Sequence, residues 1–311
     1  MKIYFYILFI FISTICASGG LVGSAYEYGT NAKSISLSNA MISSYNRGNN
    51  AFSNPSLLGG VKKNEYSFSH FSLSLDRFMH TMSISLPVPD EEATLGLSFF
   101  VTGVEDIPET VDDPTVLGDY STYEGYLMLS FGAKFSEKLS LGINFRFMKN
   151  EIFDDYSANG LGSDIGMLFE FSNHSKLGIT INNLYSKYSW DFNYGGNDYK
   201  YDEKFYRTFA LGFSTKVFNN ILFLSQVEYI SDIKKSNYRI GFEKEIFVNT
   251  GKSFMVRSGV NYKNNLFNPS FGLGYTMNSY KNFNIDFDYA IDTRTIGNGF
   301  NHLCTLTFYK K

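Results

Sequence analysis

Residues 29–60 have the sequence GTNAKSISLSNAMISSYNRGNNAFSNPSLLGG, the one long stretch of the chain that does not alternate with a period of two. Its apolar residues approximate one helical stripe, with Ser34 or Ser36 as a candidate N-cap. A run of Asn and Gly then ends the helix. Asn54 precedes Pro55, which predicts a turn because proline disfavours the helical conformation in the residue before it. The residues of the stripe are Ile35, Leu37, Ala40, Met41 and Ile42.

From Glu65 onward, segments of about ten residues alternate between apolar and polar or small side chains. In the segment 139–147, the odd-numbered residues are Leu, Ile or Phe, and the even-numbered ones are Ser, Gly, Asn and Arg. Strands with one face in lipid and one in a polar lumen have this pattern. We count about 14 such segments, which predicts an all-β fold, a transmembrane antiparallel β-barrel with an N-terminal, partly helical hatch.

The predicted connections alternate between short and long. Short ones lie near residues 136, 174, 219 and 279, and long ones at 105–122, 151–160 and 185–203. Short turns on the periplasmic side and long loops outside are typical of outer-membrane barrels. An even number of strands also brings both ends of the barrel to the same side. A soluble β-sandwich is the alternative fold, and it leaves the Phe-rich face unexplained.

The first residues predict export. Lys2, the apolar run Ile3 to Ile12 and the small residues around Ala17 form a signal peptide that ends before Gly19. Lipidation of Cys16 is the alternative use of this segment. We therefore divide the chain into a signal peptide (1–18), a hatch segment (19–62) and an outer-membrane barrel (63–311). A net charge of −3 without a basic stripe argues against nucleic acid as a partner.

The hatch segment resembles the N-terminal signature of the PorV/PorQ outer-membrane proteins, relatives of the FadL-type (long-chain fatty-acid transporter) barrels. That pattern is roughly G-x-x-A-R-x-x-x-M-G-G-A, followed after a loop by N-P-A-x-L. The chain departs from it at Lys33, at Ser38 and Asn39, and at Ser56. The residues that match or align with the pattern are Gly29, Ala32, Lys33, Leu37, Ala40, Asn54, Pro55 and Leu57.

The resemblance implies a function without enzyme chemistry, cofactor or metal. FadL-type barrels carry hydrophobic molecules past a hatch and release them laterally through the wall, so a small hydrophobic ligand is the expected partner besides outer-membrane lipid. PorV-like barrels instead serve protein secretion, which implies secreted cargo. A surface-exposed structural or adhesive protein is the third alternative. The sequence leaves these three open.

Charged residues on the predicted lumen face are the other candidate site. Folding hairpins about their turns places Glu228 opposite Arg239, Glu243 opposite Arg257, and Arg146 near Asp164. Asp286 and Asp288 lie on the same predicted face. These charges either set the selectivity of a polar lining or form structural ion pairs, and we favour the ion pairs.

Two other sets of residues are candidate metal sites. The predicted turn at Asp76 and Arg77 does not place His70 opposite His80, and no histidine has metal-ligand spacing, so we predict no metal site. The acidic segment 105–124 carries seven carboxylates without Lys or Arg. It is either a calcium-binding loop or, as we favour, a solvated mobile loop.

Overall fold

The computed structural model describes residues 21–89, 92–110, 115–152, 156–194, 196–218, 221–249, 252–278, 283–293 and 300–310. The predicted signal peptide and two of the acidic residues, Asp112 and Asp113, lie outside these ranges. Among the described residues, no helix is long and apolar enough to cross a membrane.

Fourteen antiparallel strands form a closed ring, which confirms the predicted fold class. Strand β16 closes the ring by pairing with β1. The ring strands are β1 (Glu65–Leu73), β2 (Arg77–Pro87), β3 (Ala93–Thr110), β4 (Val116–Ser136), β5 (Leu139–Ile152), β6 (Tyr156–Glu170), β7 (Ser175–Asn182), β10 (Thr208–Val217), β11 (Ile221–Ile230), β12 (Lys235–Asn249), β13 (Lys252–Lys263), β14 (Leu266–Asn278), β15 (Phe283–Asp292) and β16 (Asn301–Lys310).

Two further strands, β8 (Lys187–Tyr194) and β9 (Asn197–Lys204), form a hairpin outside the ring. The hairpin joins the barrel through β6, whose residues 165–170 pair with β7 and whose residues 156–161 pair with β8. Strand β6 therefore changes its partner at residues 162–164. We call the end of the barrel that carries the β8–β9 hairpin the long-strand end, and the opposite end the short-turn end.

The three predicted long loops are wrong, because strands occupy most of each one. Strands β3 and β4 pair as far as Thr110 and Val116, with bulges after Val104 and Glu109. Strands β5 and β6 continue to Ile152 and Tyr156, and the third loop contains β8 and β9. The alternation weakens there because much of these extensions is exposed on both sides: every residue of β9 except Glu203 is exposed. A strand that is polar on both sides has no period-two signal.

The wall has an apolar outer face and a polar inner face. On β5, Phe145 and Phe147 are half exposed to the outside, while Ser140, Asn144 and Arg146 are buried. Small polar residues such as Ser69, Thr81 and Ser98 line the interior of other strands. This is the arrangement of a barrel in lipid, with its lumen isolated from the bilayer.

The described part of the hatch segment, residues 21–62, lies inside the ring. It contains a 3-10 helix (Ser24–Glu27), the helix α1 (Ala32–Ser36), the helix α2 (Asn50–Ser53) and a second 3-10 helix (Pro55–Gly60). Helix α1 is shorter than the predicted stripe. Its N-cap is Asn31, not Ser34 or Ser36, because the Asn31 side chain accepts a hydrogen bond from the Ser34 backbone N–H.

The alternation of the wall predicts different effects of one substitution at two nearby sites on adjacent strands. Phe287 faces outward on β15, and Thr276 lines the interior on β14 next to Asp286. Phe287→Arg places a charge in the bilayer, which destabilises the barrel by about 2–4 kcal/mol. Thr276→Arg instead adds a positive charge to the polar lining beside the Asp286 carboxylate. We expect loss of the heat-modifiable, folded species in membranes for Phe287→Arg only. Equal loss in both variants contradicts the assignment of the two faces.

Candidate functional site

The hatch is anchored to the wall by hydrogen bonds from its backbone and side chains. At the start of α1, the Ala32 N–H donates to Thr305 Oγ1 on β16 over 2.9 Å. Further along, the Gly48 N–H donates to Glu65 Oε2 on β1 over 2.7 Å, and Asn49 Nδ2 donates to Ser67 Oγ over 2.7 Å. The hatch thus supplies donors to the polar inner face of the first and last strands.

The hatch residues that the sequence singled out are buried between hatch and wall. Ala32, Leu37, Ala40, Asn54 and Leu57 are at most 1% exposed, and Pro55 is also buried. Asn54 has the extended backbone predicted for a residue before proline, and its side chain accepts the Ser56 N–H.

Two other members of that set have polar or steric roles. Lys33 extends to Glu243 on β12, with Nζ 3.5 Å from the carboxylate. Gly29 has φ +123°, and a side chain there would collide with Asn39 and Ile35. Asn39 Nδ2 in turn donates to the Tyr28 carbonyl. Gly29 therefore lets the chain turn tightly into α1.

Inward-facing glycines of the wall lie directly against the hatch, mostly against its backbone and, at Gly166, against the Asn54 side chain. A Cβ at Gly142 would lie 2.3 Å from the carbonyl carbon of Pro55, and one at Gly178 would lie 2.2 Å from the Ile42 carbonyl oxygen. We call four such residues the glycine seats: Gly142 on β5, Gly166 on β6, Gly178 on β7 and Gly259 on β13, which contact Pro55, Asn54, Ile42 and Leu37–Ser38 respectively. The sequence analysis missed them, although glycine at inward positions of successive strands was the available signal.

Near the short-turn end, buried charges join the hatch to the wall. Arg257 donates to Glu243 over 2.5 Å and to Asp288 over 2.6 Å, with only 1% of the Arg257 side chain exposed. Arg47 of the hatch donates to Asp286 over 3.1 Å. A cavity of about 520 Å³ opens between these hatch and wall residues.

The other predicted lumen pairs also form contacts, although the register at Glu228 differs from the prediction. Glu228 lies directly opposite Asn237, and Arg239 reaches it diagonally over 2.6 Å. Arg146 lies opposite Gly162 and reaches Asp164 over 2.7 Å. An arginine side chain is long enough to reach a carboxylate two residues away from the directly opposite position, so these ion pairs form even though the two residues are not directly opposite each other.

Arg146 and Asp164 also brace the point where β6 changes its partner. Arg146 Nη2 donates to Asn183 Oδ1 over 2.6 Å, and the Asn183 N–H donates to Asp164 over 2.9 Å. Asn183 has φ +57°, which turns the chain from β7 toward β8. We call this point, residues 162–164 and 183–186, the wall break.

Aromatic side chains of the wall and of the segment before β10 surround the hatch residue Tyr26. Its ring lies edge-on to Phe100 and Tyr126, with centroids 5.3 and 4.9 Å away, and is stacked on Phe205 at 6.1 Å. Its hydroxyl is 2.5 Å from the Tyr188 hydroxyl. Burial, with smaller contributions from Tyr188 and Glu124, raises the pKa of Tyr26 above its ordinary value, so the phenol stays neutral. We call Tyr26, Phe100, Tyr126, Tyr188 and Phe205 the aromatic chamber.

A second cavity lies at the long-strand end beside the aromatic chamber. Its volume is about 450 Å³. Hatch residues Ser24, Ala25 and Tyr28 form one side, and the other includes Leu73 and Met79. A smaller space of about 150 Å³ separates the hatch from Arg146, Asp164 and Asn183 at the wall break.

The prediction that His70 and His80 do not face each other is wrong. The connection is the three-residue turn Ser74–Asp76, with Leu75 and Asp76 at positive φ, and it pairs His70 directly with His80. Their Nδ1 atoms are 3.3 Å apart on the outer face of the wall. Among the described residues, no group of three or more His, Cys, Asp or Glu is placed to hold a metal ion.

The acidic segment 105–124 is also not the loop that we favoured. Its described residues belong to the paired extensions of β3 and β4. The Tyr120 hydroxyl donates to the Glu109 carboxylate over 2.7 Å, so a hydrogen bond stabilises one of these negative charges.

Comparison with solved structures places the fold among transport channels. The toluene transporter TodX of Pseudomonas putida matches with a TM-score of 0.65 at 13% identity, over 91% of this chain and 98% of that one. A FadL homologue of Pseudomonas aeruginosa gives 0.61 at 11%, over 90% and 98%. The monoaromatic hydrocarbon channel CymD gives 0.64 at 8%, over 92% and 98%.

This chain has the fold of the FadL-type channels. No protein-family model and no curated protein matches its sequence. The FadL-type part of the resemblance therefore holds for the fold, and the PorV/PorQ part has no support from these comparisons.

The glycine seats predict that one methyl group loosens the hatch. Gly142→Ala forces a Cβ against the backbone of Pro55, and such overpacking should destabilise the seated hatch by about 1–3 kcal/mol. We expect faster proteolysis within residues 21–62 and raised ion conductance from a barrel that still folds. Gly118→Ala is the matched control, because its Cβ would meet only the Glu109 side chain at 3.4 Å. Unchanged proteolysis and conductance in Gly142→Ala contradict the seat.

The buried pair Glu243–Arg257 predicts strong thermodynamic coupling. Glu243→Gln leaves Arg257 with Asp288 alone, and Arg257→Met leaves Glu243 with Lys33 alone, so each variant should be destabilised, by up to about 3–5 kcal/mol. The destabilisation of the double variant should be about 0.5–3 kcal/mol smaller than the sum of the two single effects. Thermal unfolding in detergent measures all three variants. The exposed pair Asp191–Lys200, 3.3 Å apart, is the control and should be nearly additive. Additivity at the buried pair means that the two side chains do not interact.

Proposed function

We propose that the protein is an outer-membrane channel for small hydrophobic molecules and not an enzyme. The apolar outer face suits lipid, and an exported barrel of this kind resides in the outer membrane. The similar solved structures are described as hydrocarbon channels and toluene transporters, which supports an apolar substrate class.

The observation that carries the proposal is the 450 Å³ cavity that opens beside the aromatic chamber. Its volume lies in the range of about 300–1,000 Å³ that is usual for small-ligand sites. Leu73, Met79 and Ala25 give it apolar surface, and Tyr26 lies behind it against Phe100 and Tyr126. A small aromatic or aliphatic molecule that enters from outside would be desolvated here.

The onward path that we propose leads sideways through the wall. Near the short-turn end, the lumen is filled by the hatch and lined by charges such as Arg257 and Glu243. These charges make that route unfavourable for an apolar molecule. The wall break lies on the other side of the chamber, where Phe205 and Asn183 line the same 150 Å³ space. Displacement of Asn183 from Arg146 would connect this space to the bilayer.

The hatch residues and the lumen charges enter the proposal as parts of this channel, and the signal peptide enters it as the segment that directs export and is then removed. Lys33, Asn54 and Pro55 hold the hatch in place, and the lumen ion pairs stabilise the wall around it. No contact described above favours secreted cargo or adhesion, so those alternatives have no support of their own.

Uptake of radiolabelled toluene by intact cells tests the function. Cells that carry the protein should take up toluene faster than cells without it. Ala25→Trp adds an indole at the cavity and should reduce uptake to the level of cells without the channel. Leu75→Trp, at a turn residue that is 61% exposed, should transport normally.

Folding of each variant is checked by heat-modifiable mobility. The proposed function is wrong if the wild-type protein does not raise uptake. It is also wrong if a folded Ala25→Trp variant transports as well as the wild type.

A further inference from the structure

The β8–β9 hairpin ends in a free strand edge. Strand β9 pairs with β8 on one side, and within the described residues no strand pairs with its other side. Every ring strand has at least two neighbours, so this edge is where the sheet stops. A free edge presents unpaired N–H and C=O groups to any strand that approaches.

The direction of these groups follows from the hairpin. Tyr194 pairs with Asn197, so two residues connect the strands, and the pair that flanks a two-residue turn is hydrogen-bonded. Because bonded and non-bonded pairs alternate, residues 198, 200, 202 and 204 direct their N–H and C=O groups away from β8. All four are charged and exposed: Asp198, Lys200, Asp202 and Lys204. We call them the charged edge.

The charged edge is complementary to itself. When a second β9 approaches antiparallel and is centred on Tyr201, Asp198 faces Lys204 and Lys200 faces Asp202, and the symmetry gives each pair twice. If the second strand slides by two residues in one direction, Lys200 lies opposite Lys200 of the second copy. If it slides by two residues in the other direction, Asp202 lies opposite Asp202 of the second copy. If the second strand slides by one residue, each residue of the charged edge lies opposite a residue whose N–H and C=O groups point toward β8, so the two strands cannot form hydrogen bonds. The centred register is the one that pairs all four charges of each strand with opposite charges and also aligns the hydrogen-bonding groups, whereas a shift of four residues pairs only Asp198 with Lys200, or Asp202 with Lys204.

We propose that β9 is a homotypic docking edge, whose partner is β9 of a second copy of this chain. The second copy continues the charge alternation that already exists across the hairpin, where Lys200 contacts Asp191 over 3.3 Å and Asp202 contacts Lys187 over 2.6 Å. An edge that only prevented pairing would carry like charges, which repel their own copy.

The geometry also sets the orientation of the two copies. The two-fold axis of an antiparallel pair is perpendicular to the sheet, and β8 continues the barrel wall beyond β6. The two barrels therefore point in opposite directions, as they do in two apposed membranes. Detergent micelles make both orientations available, so the full-length protein in detergent is the appropriate sample.

Cysteine cross-linking in a Cys304→Ser background tests the register. Tyr201→Cys lies on the two-fold axis opposite its own copy, where Cα atoms are about 4.5 Å apart, within the range for a disulfide. Tyr199→Cys, two residues away, is the matched control: it would lie about 13 Å from its own copy and should not cross-link. A mixture of Tyr199→Cys and Glu203→Cys chains should form a heterodimer.

Charge variants in the Tyr201→Cys protein give an independent result. Lys200→Glu/Lys204→Glu makes the edge wholly acidic, and Asp198→Lys/Asp202→Lys makes it wholly basic. Each alone should lose the cross-link, and a mixture of the two should restore it. Heat-modifiable mobility confirms that each barrel is folded.

The proposal is overturned if the folded Tyr201→Cys protein remains monomeric, or if Tyr199→Cys cross-links equally. It is also overturned if the acidic and basic variants cross-link as well alone as when mixed. None of these outcomes depends on toluene uptake, so the edge and the proposed channel function fail or succeed separately.

Discussion

The structure depends on backbone-to-backbone contact between the hatch and the wall. Apolar hatch residues such as Ile35 and Leu58 cluster with apolar residues of the inner wall, and elsewhere the hatch is held by close packing and hydrogen bonds. The glycine seats bring Pro55 and Ile42 directly against the strands, which is impossible for any residue with a Cβ. Donors such as the Ala32 and Gly48 N–H groups then find acceptors on the inner face. The apolar hatch residues Leu37 and Leu57 become buried as a result.

The barrel was predictable because a two-sided wall leaves a period-two signal in every spanning segment. The alternation of Phe145 and Phe147 with Asn144 and Arg146 gave the two faces directly. The same signal vanished beyond the membrane, where β9 is polar on both sides, and the sequence therefore suggested loops in place of strands. Strand extension depends on the partner strand, which a single segment does not reveal.

The candidate site was predictable only in part. The Asn54-Pro55 turn followed from local backbone restriction, and Glu243–Arg257 followed from counting across a hairpin. The count failed at His70 and His80, because the turn has three residues with Leu75 and Asp76 at positive φ. The aromatic chamber was not foreseen, since Tyr26, Phe100 and Phe205 come from distant parts of the chain.

The hatch also affects how the ring closes. The seam pairs Glu65 with Tyr309, about 240 residues apart, and loop closure over that length costs about 5 kcal/mol in chain entropy. Hatch contacts lie along both sides of the seam: Ala32 on Thr305 of β16, and Asn49 on Ser67 of β1. Since the hatch directly precedes β1 in the chain, it brings to β1 a ready-made surface for β16. The segment that fills the lumen thereby also fastens together, from the inside, the two strands that close the ring.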